Sequence, residues 1–312
     1  MVDWLGLFLD ASLWVSALRI ATPFLLGTTG ELLCERVGVI NLGIEGIMTV
    51  GAMSGWLVTL MTNQPWLGVL AAALAGLLLG LIHGAMTVLL GLSQHVVGIG
   101  ISLFGVSLSS FLFRTAVPNA AGVKISAFKP VGFDWLEKVP FVGAILAQQT
   151  VLTFFAVALL AAVAYGLYRT PLGLAARMVG ESPEAAAAQG INIGRVRMGG
   201  VALGSVFMGI AGCFLSLSAF NTFVINLVGG RGWICIALVV FASWKPGRIL
   251  LGALFFAFVD ALQLRLQQVV HGLPYQLFLM LPYLLSIVVL IGVSRRARAP
   301  QALMVPYRKG QR

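Results

Sequence analysis

Apolar residues run along this chain in long blocks, and its polar residues gather in short intervals between them. The pattern is neither the alternation of a half-buried strand nor the narrow apolar stripe of a soluble amphipathic helix. A helix needs about 20 apolar residues to cross the hydrocarbon, where every backbone polar group must be bonded within its own segment. Nine runs approach that length: 12–33, 41–62, 66–91, 95–117, 149–168, 199–220, 232–244, 248–269 and 275–293. They predict an all-α, polytopic membrane protein with about nine transmembrane helices, within a range of about eight to ten. The 232–244 run is short and reads equally as a re-entrant or half-spanning segment. The 66–91 run holds Gly76, Gly80 and Gly84 and is open to a break. Residues 1–312 form a single transmembrane domain.

Direction follows from the bases, because cytoplasmic loops carry the excess of Lys and Arg. With the N-terminus outside, the inner side receives Arg36, Arg169, Arg177, Arg195, Arg197, Lys245 and Arg248. It also receives Arg295, Arg296, Arg298, Arg308, Lys309 and Arg312 of the 294–312 tail, which makes thirteen of the twenty bases. The outer side holds Lys124, Lys129 and Lys138, with Arg114, Arg231 and Arg265 near span ends, while Arg19 lies within the first span. An odd number of spans with a cytoplasmic C-terminus satisfies this count. The basic tail reads as a topology anchor, with an anionic-lipid patch as its alternative. Met1-Val2-Asp3-Trp4 has no basic n-region, so the first apolar run is expected to stay as a helix.

Composition agrees with the pattern. Of the residues, 59% are hydrophobic and 10% charged, and the mean hydropathy is +0.99. A soluble domain carries about a quarter of its residues as charges, so lipid must replace water over most of this exterior. The formal net charge of +10 is spread over loops and tail, which points to membrane topology and away from nucleic acid. Cys34, Cys213 and Cys235 have no metal-ligand or disulfide spacing and read as small buried side chains.

Two loops exceed a simple turn. The outer one, 118–148, mixes Pro118, Pro130 and Pro140 with Phe128, Phe133, Trp135 and Phe141, and is expected to fold back on the membrane surface. The inner one, 169–198, contains a short helix with a legible start and stop. Ser182 caps it, Pro183 takes the first helical position, Glu184 suits the positive end, four alanines follow, and Gly190 ends it.

Glu184-Ala185-Ala186, three further residues and Gly190 resemble the start of the EAA loop of bacterial ABC-importer permeases, which inserts into the ATPase subunit. The later Ile-x-Leu-Pro part of that loop is missing, and Gly200 stands at its place. Asn41-Leu42-Gly43-Ile44-Glu45-Gly46 resembles the element that opens the second span in the permease branch serving nucleosides, simple sugars and branched-chain amino acids. Pro282-Tyr283, Ala299-Pro300 and Pro306-Tyr307-Arg308-Lys309-Gly310 are similar to the end of the shorter permease of nucleoside importers.

This resemblance, from about 15 to 310, implies a subunit of the bacterial plasma (inner) membrane that forms the path for a nucleoside, or a simple sugar. The implied partners are an ABC ATPase, a longer second permease in a heterodimer, an extracytoplasmic binding protein or lipoprotein, and membrane lipid. No nucleic acid is implied. The chain has no Gly-x-x-x-x-Gly-Lys-Ser/Thr run, so it is expected to bind no cofactor and to be no enzyme, with ATP used by the partner. Glu184, Ala185, Ala186 and Gly190 are the expected ATPase-coupling residues.

Charge at mid-bilayer costs roughly 3 kcal/mol or more, so intramembrane polar residues face partners or water. Asn41 and Glu45 share one helix face. For Glu45 the readings are an inner gate, a pairing with Arg19 or Arg36, or a helix-end hydrogen bond. Asp260, Gln263 and Gln267 form a stripe at i, i+3 and i+7, suited to sugar hydroxyls or nucleobase edges, or else to gluing helices. Neighbouring Arg265 is expected to snorkel outward. His83 and Arg114 read as packing residues. Two other function classes make different demands. A stand-alone secondary transporter or channel needs coupling-ion ligands and usually an internal repeat. An intramembrane enzyme needs a paired nucleophile and base, and neither constellation stands out.

Overall fold

A computed structural model describes residues 10–117, 123, 125–132, 139, 141–269, 274–294 and 298–307. Every regular element among them is a helix. Helix α1 is Ala11–Arg36, α2 Ile44–Thr62, α3 Pro65–Gly84, α4 Gln94–Ala116, α5 Val142–Ala147 and α6 Val151–Arg169. Then follow α7 Pro171–Glu181, α8 Pro183–Ala188, α9 Ile193–Phe214, α10 Arg231–Phe241, α11 Pro246–Val269 and α12 Tyr275–Ser294. Helices α3 and α9 each end in a π-helical turn, Ala85–Leu89 and Leu215–Ala219.

Seven of these are long and apolar enough to cross a membrane: α1, α2, α3 with its π turn, α4, α6, α9 with its π turn, and α11. The expected break in 66–91 does not occur at its glycines. Helix α3 is continuous through Gly76 and Gly80, which lie against Ser205 of α9, so the small residues serve close packing. The 232–244 run makes only an 11-residue helix, α10. At 1.5 Å per residue that is about 16 Å, half the hydrocarbon thickness. Its ends are set by backbone conformation: Gly229 and Gly230 precede it, and Ser243 and Trp244 follow it, all with positive φ.

Helix α9 is the hub. Of its most apolar window 83% is buried, against 33% for α3, α4 and α6, which therefore form the lipid-facing periphery. It packs on α1, α2 and α3. Glycine makes these approaches possible: a Cβ on Gly212 would overlap the Met48 carbonyl of α2, and one on Gly204 the Gly30 carbonyl of α1. With no hydrophobic drive between helices in lipid, such contacts are the main source of cohesion. Trp56, Phe113 and Phe223 close one end of the bundle, their ring centroids 5.2–6.2 Å apart.

At that end, described parts of the 118–148 loop lie on the bundle: Phe128 N–H donates to Leu217 O, and Pro130 bridges to Thr150. Pro118, Lys124, Phe133, Trp135, Lys138 and Pro140 of the loop, and Arg295, Arg296, Arg308, Lys309 and Arg312 of the tail, fall outside the described residues. Arg265 extends to the span end that carries the start of α1. It pairs with Asp10 at 2.9 Å and donates to Ser12, tying the start of α1 to α11. The Ser12 hydroxyl and backbone N–H, with the Arg265 charge, hold the Asp10 carboxyl below its usual range.

Replacing Gly212 by Val should therefore cost about 3 kcal/mol or more and abolish a monodisperse peak in detergent. Gly199→Ala, where an added Cβ meets nothing within 4 Å, should be neutral or slightly stabilising on the same thermal-shift assay.

Candidate functional site

The stretch 37–43 between α1 and α2 is irregular and buried, so its backbone groups need side-chain partners. They come from α1 and α4. Glu31 of α1 accepts from Asn41 N–H at 2.9 Å, Gln94 of α4 accepts from Ile40 N–H at 2.8 Å, and Ser102 of α4 donates to Leu42 O at 2.8 Å. Asn41 Oδ1 accepts from Gly43 N–H at 3.0 Å, a local turn that starts α2, and its Nδ2 donates to Ser205 of α9 at 3.1 Å. Asn41 is thus wholly enclosed in structural bonding.

Glu45, one turn into the same region, accepts from Gly230 N–H and Gly232 N–H, both at 2.8 Å. These N–H groups are the unsatisfied donors at the start of α10. Of the three readings for Glu45, the helix-end hydrogen bond is the one present, and Arg19 and Arg36 are not its partners. The other end of α10 is tied as well. Trp244 Nε1 donates to Glu35 at 2.5 Å, and Arg36 Nε donates to Trp244 O at 3.1 Å. Arg36 also lies 3.9 Å from Glu181. Helix α10 therefore starts deep in the bundle at Glu45 and finishes at the end that carries Arg36, Arg169 and Lys245.

Beside the start of α10 is a cavity of about 300 Å³, lined among others by Gly229, Arg231, Asp260, Gln263 and Tyr283. Asp260 Oδ1 accepts from Gln263 Nε2 at 2.7 Å, which leaves the buried Gln263 Oε1 without a partner. The cavity unites Asp260 and Gln263 of the predicted stripe. Gln267 does not line it, and neither do Asn41 and Glu45, although Glu45 anchors the Gly229–Gly232 wall. Arg231, assigned from loop counting to an outer span end, faces this cavity. A larger cavity of about 540 Å³ between α3 and α4 is lined almost wholly by apolar side chains and faces outward between two peripheral helices.

At the basic end, α8 has the anticipated chemistry. Ser182 Oγ accepts from Ala185 N–H at 3.4 Å, Pro183 begins the helix, and Gly190 has φ +78°. Glu184 and Ala185 are exposed, while Ala186 is buried with Val179 and Ile193.

The family model for "Branched-chain amino acid transport system / permease component" matches residues 13–290. The chain belongs to this permease family. A putative glucose ABC transporter permease of Haloferax volcanii is 39% identical over 82% of this chain and 78% of its own length. A guanosine ABC transporter permease of Bacillus subtilis is 35% identical over 94% of this chain and 95% of its own. A nucleoside ABC transporter permease of Lactococcus lactis is 32% identical over 93% and 95%. No solved structure matches. The protein is thus a multi-pass plasma-membrane permease of the ABC-importer kind.

In this permease the 298–307 stretch does more than trail from the last helix. Ala302 N–H donates to Gly180 O at 2.9 Å and Met304 N–H to Gly38 O at 3.3 Å. Arg197 donates to Val305 O at 2.9 Å, and Tyr307 packs on the Val179–Ala186–Ile193 cluster. It is a strap that joins the 169–198 loop to the 37–43 stretch. Sequence reading took it for a tail because backbone hydrogen bonds leave no mark on composition. Glu31, Glu35 and Gln94 were missed too, although a Glu or Gln inside an apolar run is itself a signal.

Two outcomes are expected. Glu45→Ala strands two buried N–H donors and should cost about 2–4 kcal/mol, with Glu45→Gln losing roughly half of that, on thermal melts of the purified permease. Truncation after Arg298 should leave membrane insertion intact while making the 169–198 loop cleavable by trypsin within minutes, as limited proteolysis in inside-out vesicles would register.

Proposed function

We propose that this permease is one half of a heterodimeric, ATP-driven importer of nucleosides, with a longer permease as its partner. An extracytoplasmic binding protein or lipoprotein delivers the solute, and two ATPase subunits work from the cytosol. The observation that carries the solute reading is the near end-to-end match to the guanosine and nucleoside permeases, covering 95% of each. Simple sugars rank second, since the glucose relative is matched over a smaller share. A cavity with a carboxylate, an amide, a guanidinium and a phenol suits a neutral solute that both donates and accepts hydrogen bonds.

In this reading the chain passes the membrane nine times, N-terminus outside and C-terminus inside. The seventh passage combines the irregular, turn-rich 220–230 stretch with α10, and α12 makes the ninth. The excess of bases at the Arg36 end supports that orientation. Residues 169–198 are then the cytoplasmic coupling loop, 118–148 the outer loop, and 294–312 a basic cytoplasmic tail. Glu184, Ala185, Ala186 and Gly190 form the coupling element: α8 offers small exposed side chains and one carboxylate, fixed from beneath by Ala186. ATP is bound by the partner, and this chain holds no cofactor. Asp260 and Gln263 face the solute in the cavity. Gln267, Asn41 and Glu45 act through packing around it.

The Glu184→Ala, Gly190→Val double variant should insert normally yet lose at least nine-tenths of ATP-dependent nucleoside uptake, because Val is strained at positive φ. Unchanged uptake would remove α8 from the mechanism. Asp260→Ala should raise the solute concentration for half-maximal uptake by about tenfold, the loss of one charged hydrogen bond. Affinity capture from native membranes should recover an ATPase and a second permease. Accumulation of solute by the chain alone in vesicles would overturn the importer reading.

A further inference from the structure

Glu31 and Glu35 stand one turn apart on α1, and both are enclosed, at 0% and 1% exposure. Each has one oxygen engaged by an uncharged donor. Glu31 Oε1 accepts from Asn41 N–H at 2.9 Å, and Glu35 Oε2 accepts from Trp244 Nε1 at 2.5 Å. The other two oxygens, Glu31 Oε2 and Glu35 Oε1, are buried and meet no donor among the described residues. The two carboxyl groups are within hydrogen-bonding reach of each other. We propose that Glu31 and Glu35 make one proton-binding site, an acid–carboxylate pair that holds a single proton between Glu31 Oε2 and Glu35 Oε1. The site lies outside the solute and coupling readings above and depends on neither.

Two ionised carboxylates this close in a buried place repel each other, and an acceptor cannot bond to an acceptor. A donor or a positive charge has to stand between them. The nearest guanidinium, Arg36, directs Nε and Nη2 to Trp244 O and has its Nη1 3.9 Å from Glu181. Neither ion pair among the described residues includes Glu31 or Glu35. The other titratable groups that face the pair are Cys34 of α1 and Cys235 of α10, and a thiol brings no positive charge. From the 37–43 stretch the pair meets only the uncharged Asn41. A resident metal ion would need further ligands, and no group of three or more His, Cys, Asp or Glu stands together among the described residues. One proton answers both needs. It bonds the two bare oxygens to each other and removes one of the two charges, as in other carboxyl pairs that cannot both ionise.

The pair ties together three pieces of backbone. Glu31 holds the 37–43 stretch through Asn41 N–H, Glu35 holds the close of α10 through Trp244, and the shared proton joins the two holds within α1. Loss of that proton would set the carboxylates against each other and strain both attachments at once. The site is therefore a fastener for the far end of α10, as Glu45 is for its start.

The test uses the full-length permease in lipid with its co-purifying subunits. Infrared difference spectra of wild type against Glu31→Gln, and of wild type against Glu35→Gln, should each show the loss of one deuterium-sensitive carbonyl band of a protonated carboxyl. In either variant an amide N–H takes the place of the shared proton, and the remaining carboxylate keeps the single negative charge. No loss in either spectrum, loss in only one of them, or a stepwise loss completed only in the double variant would each overturn the shared proton. Hydrogen exchange reads the fastening. The amides of 242–245, which close the end of α10, should exchange about tenfold faster in Glu35→Ala, where Trp244 Nε1 loses its acceptor. They should stay within about twofold of wild type in Glu35→Gln, which keeps an acceptor and a donor and so covers the case of a poorly folded alanine variant. Unchanged exchange in Glu35→Ala, or equal acceleration in Glu35→Gln, would overturn the fastener.

Discussion

A helix that begins in the middle of a membrane protein exposes backbone donors where there is no water to meet them. The carboxylate of Glu45 meets two of these donors at the start of α10, and the rest of the central architecture follows from that pairing. An 11-residue helix cannot span the hydrocarbon by itself, so its free end must be capped from another element, and the cap must be strong. A carboxylate bonded to N–H groups at the positive end of a helix combines charge-assisted hydrogen bonds with the helix dipole. Residues 220–230 can then remain irregular, and irregular backbone at depth is what leaves room for a polar cavity instead of a tightly packed span.

The cap needs a rigid platform. Helix α2 is clamped between α9, through backbone approach at Gly51 and Gly209, and α4, through approach at Gly46 and Gly105. The same helix begins at a turn nailed down by Asn41, which is bonded to α1 and α9 together. Glu45 therefore presents its carboxylate from the best-fixed part of the bundle. By contrast, the polar side chains that line the cavity, Arg231, Asp260, Gln263 and Tyr283, sit on α10, α11 and α12, farther from the α9 hub. Rigidity behind the cavity and latitude in front of it is the distribution that a solute path requires.

Much of this was legible before any coordinates. Seven of the nine predicted apolar runs form helices long enough to cross a membrane, since lipid leaves backbone no alternative, and the start and stop of α8 follow from Ser182, Pro183 and Gly190. What was not legible depends on distant partners. Glu45 and Gly230 are separated by 185 residues, and no periodicity reports such a bond. Counting bases placed Arg231 near an outer span end and hid its place beside Asp260 in the cavity. The stripe at 260, 263 and 267 was visible as a face, but only its first two members reach the cavity, because the third lies a further turn along α11 and outside the lining.

The basic end and the cavity are joined by a short series of bonds. The 169–198 loop reaches the strap at Gly180 O, the strap reaches the 37–43 stretch at Gly38 O, and that stretch leads within seven residues to Glu45 and so to Gly230. Contiguity of this kind transmits force only if some member has two discrete arrangements. Helices α1, α2 and α9 are too closely interlocked by backbone contact to supply one. Helix α10 is short and bounded at both ends by positive-φ residues; its start lies close against the Glu45 backbone at Gly232 and is capped by the Glu45 side chain, while its far end is held by side chains of Glu35 and Arg36. A tilt of α10 about its Glu45 cap would alter the cavity at Arg231 while breaking few bonds, so the element with most freedom to move is the one whose start lines the cavity.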